Sequence, residues 1–169
     1  MPAKVYSAAV IGLDAQLIEV EVDCSYGLRY FGIVGLPDKS VEEARERVGT
    51  AIKSIKFSSP FHRPLRVLVN LAPADLKKEG ALYDLPIALG FLLASGQTKF
   101  NSENMIFLGE LSLDGKLRPI KGALSVALMA RNRFSAIILP KANAAEAALA
   151  LTQSSSQPKN ELKVIGVET

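Results

Sequence analysis

One cysteine, one histidine and no long apolar run are the first things this 169-residue chain shows. A lone Cys24 excludes an internal disulfide framework and any multi-cysteine metal site, which makes a reducing cytoplasm the default setting. His62 stands in Phe61-His-Arg-Pro64 with no acid or hydroxyl patterned around it, so it reads as a loop histidine rather than a triad base. Met1-Pro-Ala-Lys-Val-Tyr has no apolar stretch behind its charge, and no signal peptide is read there. The longest apolar stretch, residues 85–94, is about half of what crosses a bilayer and is expected to be a buried helix, with no membrane partner. Charge of one sign is also scarce: the net +3 and pI near 9.0 permit contact with nucleic acid without requiring it. What is present is an apolar fraction of 49%, enough for one compact unit, so a single domain over residues 1–169 is expected.

Residues 4–11 and 16–22 have strand composition, and the second alternates Leu17, Glu19, Glu21 against Ile18, Val20, Val22, the period of a strand with one wet face. A third strand over 28–34 would complete an antiparallel meander. Ser40-Val-Glu-Glu43 is a capping-box pattern, and Val41, Ala44, Val48, Ile52 and Ile55 form the buried stripe of a first helix; Arg47 falls among its solvent-facing charges. Residues 65–72 read as an interior strand and 83/84–95 as a second helix with Pro86 in its first turn. Residues 105–111 and 116–119 form a hairpin across Leu113-Asp-Gly115. A helix over 122–132, a strand over 136–139, an alanine-rich helix over 143–151, a polar loop over 152–160 and a strand over 162–167 follow.

Four places could carry chemistry. Gly32-Ile-Val-Gly-Leu-Pro-Asp-Lys-Ser40 sits where a phosphate loop would, but Asp38 precedes the lysine where glycine is needed and would repel phosphate. Asp75, Glu79, Asp84, Glu110 and Asp114 lack the spacing of a cation loop and read as surface or turn acids, Asp84 as a helix cap; no metal site is expected. Lys53, Lys56, Arg63, Arg66, Lys77 and Lys78 fall around one strand and its flanking loops, a candidate nucleic-acid patch in which no aromatics interleave as a stacking platform requires; a solvated face is the competing reading. Finally, Glu79-Gly-Ala-Leu-Tyr-Asp-Leu-Pro-Ile-Ala-Leu-Gly90 and Leu108-Gly-Glu-Leu-Ser-Leu-Asp-Gly-Lys-Leu-Arg-Pro-Ile-Lys-Gly122 have the turn-helix and hairpin order of a peptidase framework, yet no Ser, Thr or Cys lies between Phe61 and Ala94.

Residues 73–122 resemble the proteolytic domain of Lon. Laid onto this chain, that family's serine position is Leu82 and its lysine position Leu124, so the resemblance implies a scaffold with no catalytic residue; Lys121 and Ser125 flank the lysine position as solvent-facing residues at a helix start. Phe31-Gly-Ile-Val-Gly-Leu-Pro-Asp-Lys-Ser-Val-Glu-Glu-Ala-Arg-Glu-Arg-Val48, Val69-Asn-Leu-Ala-Pro-Ala-Asp-Leu-Lys-Lys-Glu-Gly80, Tyr83-Asp-Leu-Pro-Ile-Ala-Leu-Gly90 and Leu108-Gly-Glu-Leu-Ser-Leu-Asp-Gly115 are similar, in order, to the N-terminal domain of the YifB/ComM family of Mg-chelatase-like AAA ATPases. That resemblance covers residues 6–167. It implies an α+β, Lon-protease-like fold, shared with domain 2 of a ribosomal protein, with a mixed sheet and a left-handed βαβ crossover, against the usual hand. It also implies an ATPase module, outside these residues, that uses ATP and magnesium, and partners in that module and in neighbouring subunits of a hexameric ring, with DNA as a further partner. The function it implies is a non-catalytic accessory domain in competence and DNA processing; part of a magnesium chelatase, or a degenerate peptidase, are the alternatives.

Overall fold

The computed structural model describes residues 2–152 and 162–169. Its centre is a mixed seven-stranded sheet. β1 (Ala3–Ile11) and β2 (Asp14–Tyr26) pair antiparallel across the Gly12 turn, and β2 pairs antiparallel with β4 (Leu65–Ala72) on its other edge. β3 (Tyr30–Val34) lies parallel to β4 at one end of the sheet. β5 (Met105–Phe107), β8 (Ala136–Pro140) and β9 (Lys163–Val167) extend the other half in parallel from β1.

The period-two reading of β2 holds: Ile18, Val20 and Val22 are fully buried, while Glu19 and Glu21 keep solvent access. The buried set, with Val67, Val69 and Leu71 of β4, faces α2 (Ala44–Ser54) and α3 (Asp84–Ala94). The opposite side of β1, β5 and β8 is covered by α4 (Ala123–Ala130) and α5 (Ala144–Thr152). Two apolar clusters therefore lie on the two faces of one sheet, and a charged or polar row survives only where no helix covers it.

Three expectations are corrected. The meander does not form: β3 pairs with β4 and not with β2, because the eight residues of β4 satisfy the second edge of the long β2 and leave the shorter β3 outside. The first helix is not opened by a Ser40 capping box. Asp38 caps α1 (Lys39–Glu42), its carboxylate accepting from the Val41 N–H at 2.8 Å, and the helix breaks at Glu43 before α2; the stripe stays buried through Ile52, but Ile55 is exposed. The long hairpin is divided, since Met105–Phe107 joins the main sheet and only β6 (Glu110–Leu111) pairs with β7 (Leu117–Arg118). Its Asp-Gly turn is as expected, Gly115 N–H donating to Ser112 O at 3.0 Å. Beyond Thr152, which ends α5, the expected polar loop lies outside the described residues. Among those described, no helix is long and apolar enough to cross a membrane.

Candidate functional site

The turn that would present a nucleophile runs from Lys78 into a 3-10 turn, Ala81–Tyr83, ahead of α3. Lys78 N–H donates to Leu36 O (3.0 Å) and Asp38 N–H to Lys78 O (2.9 Å), a short parallel bridge that ties this segment to the entry of α1. The Asp38 carboxylate has a second task, accepting from Gly80 N–H at 3.3 Å. Gly80 takes a φ of 83°, which a side chain would resist. On the far side, Gly109 N–H donates to Leu82 O (2.9 Å) and Leu85 N–H to Gly109 O (3.0 Å). The turn is thus held from both flanks in a fixed shape.

At its apex sits Leu82, half-buried and packed against both apolar clusters. Leu124, one residue into α4, packs on the second of them, and its N–H donates to Glu146 at 3.1 Å. Neither side chain offers a lone pair or a transferable proton, so neither can act as nucleophile or base. Lys121 is exposed and Ser125 partly so. A turn and a helix start are both present, with apolar packing at positions 82 and 124.

Beneath the turn lies an ion pair that the pattern of charges concealed. Arg47 of α2 donates from Nε (2.7 Å) and Nη2 (3.0 Å) to the carboxylate of Asp84, which also accepts from Leu111 N–H at 3.1 Å. Asp84 is fully buried and does not act as a side-chain helix cap, which corrects its reading as a turn acid, and Arg47 is not a solvent-facing charge. Burial pushes the Asp84 carboxyl up to about 6 against the downward pull of Arg47; Arg47 itself is held above its ordinary value by that hydrogen bond. Tyr83 is buried beside this pair, and among the described residues its hydroxyl has no hydrogen-bond partner; burial pushes the phenol up.

The six basic residues do not share one surface. Lys53, Lys56, Arg63 and Arg66 are exposed, but Lys77 lies beyond the opposite end of β4 and pairs with Glu79 at 2.7 Å. Eight residues of strand separate the two groups by about 25 Å. Lys78 is fully buried, its ammonium donating to Pro73 O, and burial lowers its pKa; it cannot meet a phosphate from the surface. An aromatic does lie beside the patch, on the neighbouring strand: the Arg66 guanidinium carbon lies 5.3 Å from the ring centre of Tyr30, across β3 and β4. Arg47, Asp84 and Tyr30 are the residues that sequence reasoning missed. Arg47 could have been suspected, since at about 100° per residue it flanks buried Ala51 on the helix wheel.

An apolar cavity of about 390 Å³ opens between α2, α3 and the small hairpin, lined by residues that include Ile55, Leu89, Phe107 and Leu117. Its lining has no side chain that could act as acid or base. Among the described residues no group of three His, Cys, Asp or Glu side chains could hold a metal.

Fold and site together define an α+β domain on a mixed seven-stranded sheet whose candidate reactive turn is filled by leucine. The profile of the family described as subunit ChlI of Mg-chelatase matches residues 20–143, and the chain belongs to that family. It is 42% identical over 164 residues to the competence protein ComM of Haemophilus influenzae, a match covering 96% of this chain and 32% of that protein. It is 45% identical over 148 residues to the protein YifB of Salmonella typhimurium, covering 87% of this chain and 29% of that protein, and 43% identical over 146 residues to YifB of Escherichia coli, covering 86% and 28%. The chain spans about a third or less of the length of these relatives.

Proposed function

We propose that this chain is a non-catalytic accessory domain of a Mg-chelatase-like ATPase of the ComM/YifB type, acting by contact: with DNA, with a partner, or with neighbouring subunits of a ring. The observation that carries this reading is the packing of Leu82 at the apex of a turn that is otherwise fully held in shape. A scaffold kept rigid around a position with no chemistry serves as a surface. In this proposal the architecture is Lon-like, with a left-handed crossover between β3 and β4; the parallel pairing of those two strands around α1 and α2 supports a βαβ unit there. ATP and magnesium belong to a module outside these residues, and the protein works in the cytoplasm. Magnesium insertion by the chain itself is less well supported, since its one histidine, His62, is exposed on a loop.

The test compares the longer protein, intact and lacking residues 1–169, for ATP hydrolysis, ring assembly and DNA unwinding. Hydrolysis per subunit is expected to persist while assembly or unwinding falls. If assembly and unwinding are both unchanged, the accessory role is wrong.

A further inference from the structure

The cavity of about 390 Å³ between α2, α3 and the small hairpin is walled by aliphatic and aromatic side chains; among the described residues Thr169 is the one polar side chain in its lining. Two large apolar residues stand at its mouth with much of their surface in water, Ile55 at 41% and Phe100 at 37% exposed. The walls are tied in place. Phe100 meets Phe107 edge-on, with ring centres 6.0 Å apart, and Asp84 holds the Leu111 N–H of the hairpin. Gly115 lets the hairpin tip reach the end of α2: a Cβ there would fall 2.8 Å from Ile55 Cγ2, and its φ of 87° favours glycine. A preformed apolar hollow with apolar side chains left in water at its rim marks a binding surface.

The lining and the rim say what fits. A free small molecule would find only Thr169 to orient it, where such sites ordinarily place several convergent polar groups. An extended peptide finds no strand edge, since β6 pairs with β7 and the Leu117 N–H of β7 already donates to Glu168 O at 2.8 Å. A protein segment seated here must satisfy its own backbone, which an α-helix does. The Gln97 amide sets the charge beside the mouth: it accepts from Ser58 N–H (2.7 Å) and donates to Ser58 O (2.9 Å), tying the chain after α2 to the chain after α3. With Ser58 against Gln97, and with Ile55 and Phe100 both at the cavity, Lys56 and Lys99 fall between these contacts on one side of the opening. Both are exposed, and among the described residues neither is ion-paired. The nearby acids are neutralised or face elsewhere. Asp114 pairs with Lys116 (3.1 Å), Glu168 pairs with Lys141 (2.7 Å), and Glu103 lines a hollow with Tyr6 and Phe134, which pack in the opposite cluster.

From this geometry we infer that the cavity is a docking site for an amphipathic helix of a partner protein, one that seats large apolar side chains in the cavity and sets acidic residues against Lys56 and Lys99. Apolar residues at i and i+3 or i+4 on that helix lie one above the other and enter the same hollow. The inference rests on the contact role proposed above and gives that role a site and a partner class. Substitutions in the cavity test the site, while removal of residues 1–169 tests the role, so the two readings fail separately.

The test is selection from a displayed library of randomised helical peptides against the 169-residue chain, followed by fluorescence anisotropy with the enriched peptides. Those peptides are expected to carry large apolar residues at i and i+3 or i+4 and an excess of Asp and Glu. Ala88→Phe, which fills the cavity from its α3 wall, should weaken binding at least about thirtyfold, the scale of a lost anchor pocket. Phe100→Gln, on the exposed rim, should weaken it about tenfold and keep the fold, so it decides the matter if circular dichroism shows that Ala88→Phe does not fold. Lys56→Gln with Lys99→Gln should weaken it about fivefold at low salt and hardly at all at high salt. No enrichment, enriched peptides that are basic or lack the apolar spacing, or binding that ignores Phe100→Gln and the lysine pair would overturn the inference. So would a concentration-dependent dimer of the chain that Phe100→Gln dissolves, since the occupant would then be a second copy.

Discussion

At the scale of single residues, burial decides what a charge does here. Asp84 and Arg47 lie 37 positions apart and meet because α2 and α3 share one face of the sheet. Asp84 is pushed up to about 6, above its unfolded value, so its contribution to stability is complete below about pH 4 and is lost as pH rises through 6. Removing Arg47 takes away the positive charge hydrogen-bonded to it and raises that pKa further. Arg47→Met is therefore expected to cost about 3 kcal/mol at pH 8 and clearly less at pH 5, where Asp84 is protonated. Denaturant unfolding at the two pH values measures this; an equal cost at both would show that Asp84 carries no buried charge. The pair was not legible in the sequence, because a helix start can use an acid and a helix surface can use an arginine. The sequence does not record which side of a short helix meets a neighbour 37 residues away.

Elements were legible where local periodicity governs them and illegible where pairing is long-range. Residues 65–72 form the interior strand that their apolar composition and closing proline predict, because both are local signals. Adjacency in sequence predicts a meander for β3, while the free edge of β2 is better satisfied by the longer β4, which begins 39 positions after β2 ends. The residues at 105–111 look like one strand, yet the chain must leave the main sheet at Leu108-Gly109 to bond the 82–85 turn. Asp38 shows the same limit on a smaller scale. It caps α1 and also holds Gly80, a contact 42 residues away. Asp38→Ala is expected to cost about 1–2 kcal/mol, the scale of a lost cap. It should also speed amide exchange at both Val41 and Gly80; faster exchange at Val41 alone would mean that Asp38 does not brace the turn.

For the whole molecule, the two apolar clusters on either face of the sheet meet at Leu82, so the apex of the turn ahead of α3 is used for packing. The identity of Leu82 and Leu124, and the want of any Ser, Thr or Cys from Phe61 to Ala94, were plain from the sequence; that the surrounding turn keeps its shape was not. The most direct measurement incubates the intact chain with a serine-reactive phosphonate and a quenched peptide library, then reads its mass and the peptide fluorescence. The account predicts no adduct and no cleavage, in the native chain and in Leu82→Ser alike, because position 124 supplies no amine to take the proton. An adduct or cleavage in the native chain would contradict it.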